Sequence, residues 1–173
     1  QNTIYARAVR HGLTLAIPFL IMGSFALLLT NFPLGVYQDF IRTWMNSAAS
    51  AILETLYQIS LGSLALVLTV TISISYGHLT ETDQLFLYPI VAVCSYLAFC
   101  GGIENQSDYI FNAEWVFTAM VITLLSCVLF HKILKLGHRF ERLHTTGADY
   151  LFNISIQCLI PVILVSLFFA VTG

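Results

Sequence analysis

An uncharged run near the beginning of the chain, His11 to Thr30, constrains the fold more than any other stretch, because nearly all of it is apolar. A helix of about 20 such residues is about 30 Å long, which matches the hydrocarbon core of a bilayer. Pro18 need not break it, since neighbouring helices can satisfy the freed carbonyl. The run is too long for a cleaved signal peptide, and no small-x-small cleavage site precedes the next polar stretch. It therefore predicts the first transmembrane helix.

The composition extends this interpretation to the whole chain. Of its 173 residues, 58% are hydrophobic and only 9% are charged, and the mean hydropathy is +0.84. Soluble domains carry roughly 25% charged residues, and a soluble fold of this length cannot bury so much apolar surface. The apolar runs are continuous rather than alternating, which is typical of helices. We predict an all-α, polytopic transmembrane helical bundle, and the net charge of −2 argues against nucleic acid as a partner.

The hydropathy pattern and the positions of proline and glycine divide the chain into five predicted spans within a single membrane domain, residues 1–173. The spans lie at about 11–31, 51–76, 84–103, 115–132 and 150–172. Residues 36–53 differ from the spans, because Asp39 and Arg42 can pair on one helix face while apolar residues share another. They predict an amphipathic helix lying in the interface, with Tyr37 and Trp44 at headgroup depth.

Small and polar residues inside the spans indicate where helices pack. The predicted helix-packing residues are Gly23, Ser24, Gly62 and Ser63, because small side chains let helices approach closely in a membrane. The hydroxyls of Thr69 to Ser75 are expected to bond to the preceding turn or across helices. Glu54 is the one carboxylate inside a predicted span, and we expect it to reach the interface rather than the middle of the bilayer.

The basic residues predict the orientation. Five spans place the termini on opposite sides, and with the N-terminus in the cytoplasm six of the seven basic residues lie inside, as the positive-inside rule requires. Residue 173 and the acidic loop Glu104 to Glu114 are then outside. Arg7 and Arg10 could instead contact an anionic lipid, although topology anchoring explains them as well. The predicted membrane anchors are Arg7, Arg10, Trp44, Lys132, Lys135, Arg139 and Arg142.

No residue pattern in the chain predicts chemistry. There is no nucleotide-binding, metalloprotease or nucleophile-elbow motif, and none of the five histidines has a ligand spacing with a carboxylate. The four cysteines form no CxxC pair and lie in apolar runs. We therefore predict no catalytic residue, metal site or cofactor in this chain. Whether a longer protein containing it is an enzyme stays open.

Three stretches of the chain resemble the enzyme IIC sugar permeases of the phosphotransferase system, in the lactose/cellobiose/diacetylchitobiose branch. The first has Arg10, Gly12, Pro18, Gly23-Ser24-Phe25 and Asn31-Phe32-Pro33 in the order and spacing of the family's first helix. The second is Trp115 to Ala119, which follows an acidic loop, and the third is Ser155 to Pro161. The resemblance covers nearly all of the chain, because the three stretches are distributed from Arg10 to Pro161.

The resemblance implies a bacterial inner-membrane protein whose fold has two halves. In the family the first half is a scaffold that dimerises, and the second half carries the sugar-binding residues. This chain resembles the first half, so we expect a homodimer whose sugar-binding residues lie outside this chain. One departure is that Gly137 to Asn153 contains no proline, where the family's loop is rich in it.

Two alternatives stay open. Similar domains occur as membrane sensors joined to cyclic di-GMP phosphodiesterase modules of the EAL type, and a sensor could lose permease motifs. The chain could also be a small structural membrane protein that only assembles with itself. The full open reading frame distinguishes the three, because a permease needs a second set of spans and a sensor needs a cytoplasmic module.

Overall fold

The computed structural model describes residues 3–32, 47–82, 85–101, 113–137 and 150–172. All regular structure in these ranges is helical, which confirms the predicted all-α class. The helices are α1 (Ile4–Thr30), α2 (Ser47–Ser60), α3 (Leu64–Leu79), α4 (Leu87–Gly101), α5 (Val116–Gly137) and α6 (Tyr150–Thr172). One turn of 3-10 helix, Ala113–Trp115, precedes α5.

Within the described ranges, two helices are long and apolar enough to cross a membrane, namely α1 and the Val116–Lys135 part of α5. Ala51–Ser60 and α3 pass the same test together, but the pair is bent by 45°. The count is therefore two, or three if the bent pair is one span. The helix α4 and the segment Leu159–Thr172 are shorter apolar helices, so the full count of five spans stays a prediction.

Most of the predicted interfacial helix, up to residue 46, lies outside the described residues, and Trp44 with it. The part that is described, residues 47–53, forms the first turns of α2. The helix α2 therefore begins before the predicted span boundary at residue 51, and it ends at Ser60, well before residue 76. The predicted second span is divided between α2 and α3.

The helix α3 lies at the centre of the packing. It contacts α1 on one side and α4 and α5 on others, while α1 also packs on α2, and α6 packs on α4 and α5. Its buried residues include Leu68, Ile72 and Tyr76, together with hydroxyl residues such as Thr69 and Ser73. Since it is covered on several sides, α3 has no single apolar stripe, and a hydropathy pattern alone cannot tell which neighbour covers which face.

Candidate functional site

A seam of small residues holds α1 against its neighbours. All the buried residues of α1 are alanines and glycines, and most of its large apolar side chains are exposed. The buried set is Ala8, Gly12, Ala16, Gly23 and Ala26. Helices in a membrane associate through close packing rather than through exclusion of water, so a stripe of small residues brings the backbones together. The seam turns one face of α1 into a docking surface for α2 and α3.

The closest approach along this seam is at Gly12. A Cβ atom added there would lie 2.5 Å from Ile72 Cγ1 and 2.7 Å from Ile72 Cα. The second of these atoms belongs to the backbone of α3, so a side-chain rotation cannot relieve the contact. Gly12 is not among the packing residues predicted from the sequence, although its four-residue spacing from Ala8 and Ala16 is a recognised small-residue signal.

Gly23, a predicted packing residue, is buried where α1 meets the end of α2. An added Cβ would lie 2.6 Å from Ser60 Oγ and 2.8 Å from Leu61 Cγ. Its neighbour Ser24 is exposed, and its hydroxyl donates to the Leu20 carbonyl at 2.7 Å. The structure therefore brings Gly23, and not Ser24, to a helix contact within the chain.

Gly62 and Ser63 lie in the turn that joins α2 to α3. A Cβ atom on Gly62 would lie 2.5 Å from the carbonyl oxygen of Gln58, which belongs to the preceding helix turn. The hydroxyl of Ser63 donates to the Ile59 carbonyl. Both residues thus shape the 45° bend between α2 and α3. A role for them in contacts between copies of the chain stays a prediction.

The hydroxyls of α3 mostly bond within their own helix. Thr69 donates to the Ala65 carbonyl at 2.9 Å, and Ser73 donates to the Val70 carbonyl at 2.8 Å. The sequence left open whether these hydroxyls bond to the preceding turn or across helices, and Thr69 and Ser73 bond to the preceding turn. Ser75 differs, because its hydroxyl oxygen is buried without a hydrogen-bond partner among the described residues.

A polar cluster joins three helices at one end of the bundle. Tyr88, at the start of α4, is fully buried, and its hydroxyl lies 2.9 Å from Nδ1 of His131 in α5. Thr82, just after α3, places its hydroxyl 3.3 Å from the same Tyr88 oxygen. The Tyr88 hydroxyl donates to Nδ1 when that nitrogen carries no proton. The sequence does not reveal this pair, because 43 positions separate its two members.

Aromatic rings surround this hydrogen bond. The ring of Tyr76 lies 5.9 Å from that of Tyr88 and meets the His131 ring edge-on at 6.5 Å. Tyr5, near the start of α1, stacks on Tyr76 at 6.3 Å. Aromatic pairs at such distances contribute about 0.5–1.5 kcal/mol beyond the area they bury. The cluster therefore ties α1, α3, α4 and α5 together at one level.

The predicted anchors that the structure describes gather at this same end. Arg7 and Arg10 follow Tyr5 on α1, while Lys132 and Lys135 follow His131 on α5, and all four are exposed. Because Tyr5 and His131 both contact Tyr76, the two pairs of cations lie at one end of the bundle. The remaining anchors, Trp44, Arg139 and Arg142, lie outside the described residues.

The described part of the chain offers no catalytic constellation. It contains no group of three histidine, cysteine or acidic side chains that could hold a metal ion. Glu54 is exposed, and the Gln58 side-chain amide donates to it at 3.4 Å. The polar cluster and the small-residue seam hold neighbouring helices together.

Comparison with known proteins identifies the fold. No protein-family model matches the chain, and no curated protein matches it. The chain is similar to the crystal structure of the transporter ChbC, the IIC component from the N,N'-diacetylchitobiose-specific phosphotransferase system, with a TM-score of 0.84 and 18% identity. The match covers 98% of this chain and 42% of that one. The predicted enzyme IIC-like fold is therefore confirmed, and the chain spans less than half of the transporter's length.

Proposed function

We propose that the chain is the dimer-forming scaffold half of an enzyme IIC-like sugar permease domain in a bacterial inner membrane. The observation that carries the proposal is the extent of the structural match, which takes in 98% of this chain but only 42% of the transporter. A chain that reproduces one part of such a fold is expected to perform that part's task. In this proposal the five spans support a second half that binds the sugar.

The internal packing of the described helices supports a structural task. The seam along α1 leaves no space at Gly12, and Tyr88 at the centre of the polar cluster is fully buried, while its partners His131 and Thr82 are partly buried. The buried polar side chains outside that cluster include single hydroxyls such as Ser95 and Thr123. Sugar sites need several convergent polar groups, so we place the sugar-binding residues beyond this chain.

A sensory role is the second candidate, and one observation favours it. Gly137 to Asn153 contains no proline where the sugar permeases have a proline-rich loop. A sensor would use the same bundle to transmit the state of a ligand or lipid to a cytoplasmic cyclic di-GMP phosphodiesterase. The full reading frame separates the candidates: phosphoenolpyruvate-driven sugar uptake in cells that express it supports the permease, and cyclic di-GMP hydrolysis without uptake supports the sensor.

The scaffold role is tested by the mass of the chain in mild detergent. One chain has a mass of 19.3 kDa, so a dimer has twice that, 38.6 kDa of protein. Light scattering that separates the detergent contribution should give the dimer mass across a dilution series. A well-folded monomer at every accessible concentration, with helical circular dichroism intact, would remove the scaffold role.

A further inference from the structure

An apolar groove runs along the exposed face of α1. Its volume is about 680 Å³, and its walls come mainly from α1, with Leu124 of α5 closing one side. Apolar side chains such as Val9, Leu13 and Ile17 line its length. Three residues with polar groups, Tyr5, Arg10 and Thr14, line it towards the start of α1. The groove is therefore polar towards one end and apolar along the rest.

The length of the groove matches one leaflet of a bilayer. Arg10 and Leu20 are ten positions apart on the same helix, which corresponds to about 15 Å at 1.5 Å per residue. The hydrocarbon core of a bilayer is about 30 Å thick, so one leaflet accounts for about half of that distance. With Arg10 at headgroup level, Leu20 reaches the middle of the membrane.

The charge at the polar end has no partner in the described residues. The guanidinium of Arg10 makes no described ion pair or hydrogen bond, and the Thr14 hydroxyl is already bonded, since it donates to the Arg10 carbonyl at 2.9 Å. On α5, Lys135 follows Leu124 by eleven positions, close to three full turns, so both lie on nearly the same face. A second exposed cation thus lies on the side of α5 that borders the groove.

We propose that this groove binds one anionic phospholipid, with an acyl chain against Val9, Leu13 and Ile17 and the phosphate on the Arg10 guanidinium. A guanidinium presents paired donors that match phosphate oxygens. Lys135 adds positive charge at the same level. The proposed lipid site uses only residues of α1 and α5, so it does not depend on where a sugar binds.

Electron paramagnetic resonance of chain-labelled lipids tests the site. The purified chain is reconstituted in phosphatidylcholine vesicles with spin-labelled phosphatidylglycerol or spin-labelled phosphatidylcholine, and the immobilised fraction gives their relative association constant. A basic residue near the surface contributes about 1 kcal/mol towards an anionic lipid, which is about fivefold in affinity. Arg10→Gln removes this general attraction together with the proposed guanidinium–phosphate contact, so it should lower the preference for phosphatidylglycerol by more than about fivefold.

Arg7→Gln is the matched control, because Arg7 is exposed one turn away and does not line the groove. It removes only the general surface attraction, so it should lower the preference by no more than about fivefold, and by less than Arg10→Gln does. Thr14→Phe, which fills the groove without changing charge, should reduce immobilisation of the labelled phosphatidylglycerol, whereas Leu15→Phe on the outer surface should not. An equal loss with Arg7→Gln and Arg10→Gln, or no loss with Thr14→Phe, would overturn the site. So would crosslinks showing that a second copy of the chain occupies the groove.

Discussion

Replacing Gly12 with alanine is the most informative change to the packing of this bundle. The new Cβ atom would meet Ile72 at 2.5 Å from Cγ1, 2.7 Å from Cα and 2.9 Å from the backbone nitrogen. The side chain of Ile72 can turn away, but its Cα and nitrogen cannot move unless α3 moves as a whole. Gly12→Ala must therefore push α1 and α3 apart.

The size of the effect follows from these distances. Carbon atoms pack at about 3.5 Å, so the Ile72 Cα must recede by about 0.8 Å from its 2.7 Å position. Inserting a methyl group into a filled contact typically costs 1–3 kcal/mol, and a backbone contact belongs at the upper end. Alanine recovers about 1 kcal/mol through its higher helix propensity. The net destabilisation should be about 1–2 kcal/mol, which is about a 5- to 30-fold change in the folding equilibrium.

Two other glycines provide graded controls in the same chain. At Gly23 the nearest atoms, Ser60 Oγ and Leu61 Cγ, belong to side chains that can rotate, so Gly23→Ala should cost less than Gly12→Ala. At Gly101 an added Cβ meets no atom of the described residues within 4 Å, so Gly101→Ala should change stability by less than about 0.5 kcal/mol.

The measurement is reversible unfolding in mixed micelles of dodecyl maltoside and sodium dodecyl sulfate, followed by far-ultraviolet circular dichroism. The expected order of stability is wild type and Gly101→Ala together, then Gly23→Ala, then Gly12→Ala. If Gly12→Ala is as stable as Gly101→Ala, then α1 and α3 do not approach as closely as the structure describes, and the reasoning about the small-residue seam fails.

Two further substitutions, one of them with a control variant, test a buried and an exposed side chain. Tyr88→Phe keeps the buried ring but leaves His131 Nδ1 without the hydroxyl 2.9 Å away, so it should lower the unfolding free energy by about 1–2 kcal/mol. Tyr5→Phe is the control, because it keeps the ring stacking and no hydrogen bond of the Tyr5 hydroxyl is described. An equal loss of unfolding free energy in Tyr5→Phe would contradict the role of the polar cluster. Glu54→Gln should change the same free energy by less than about 0.5 kcal/mol, because Glu54 is exposed. Loss of assembly in detergent for Glu54→Gln would instead mean that this carboxylate is buried and paired in the assembled protein.

Continuous hydropathy predicted the helical class and the first helix, and missed the break in the second. The apolar run from His11 to Thr30 lies within α1, which begins earlier, at Ile4. The predicted span 51–76 is apolar throughout, so hydropathy does not reveal the bend at residues 61–63. A break inside an apolar run depends on local backbone geometry, for which Gly62 and Ser63 were the only sequence signals.

Contacts between distant segments were beyond the sequence. The four-residue spacing of Ala8, Gly12 and Ala16 could have predicted the seam, but it does not indicate that Ile72 of α3 is the residue that contacts Gly12. Likewise, Tyr88 and His131 each lie in an apolar surrounding, and their pairing depends on how α4 and α5 are placed by the packing around α3. A single sequence shows which faces are small or apolar, and tertiary packing decides what covers them.

The arrangement of the five predicted spans is tested most directly by labelling the two loops that flank α4, which is itself only 15 residues long. In a background without the native cysteines, Ser107→Cys reports on the acidic loop and Glu81→Cys on the loop after α3. A membrane-impermeant maleimide should label Ser107→Cys in intact cells and Glu81→Cys only after permeabilisation, because the basic residues predict the N-terminus inside. The reverse pattern would contradict the orientation, and labelling of both cysteines from the same side would show that α4 does not cross the membrane.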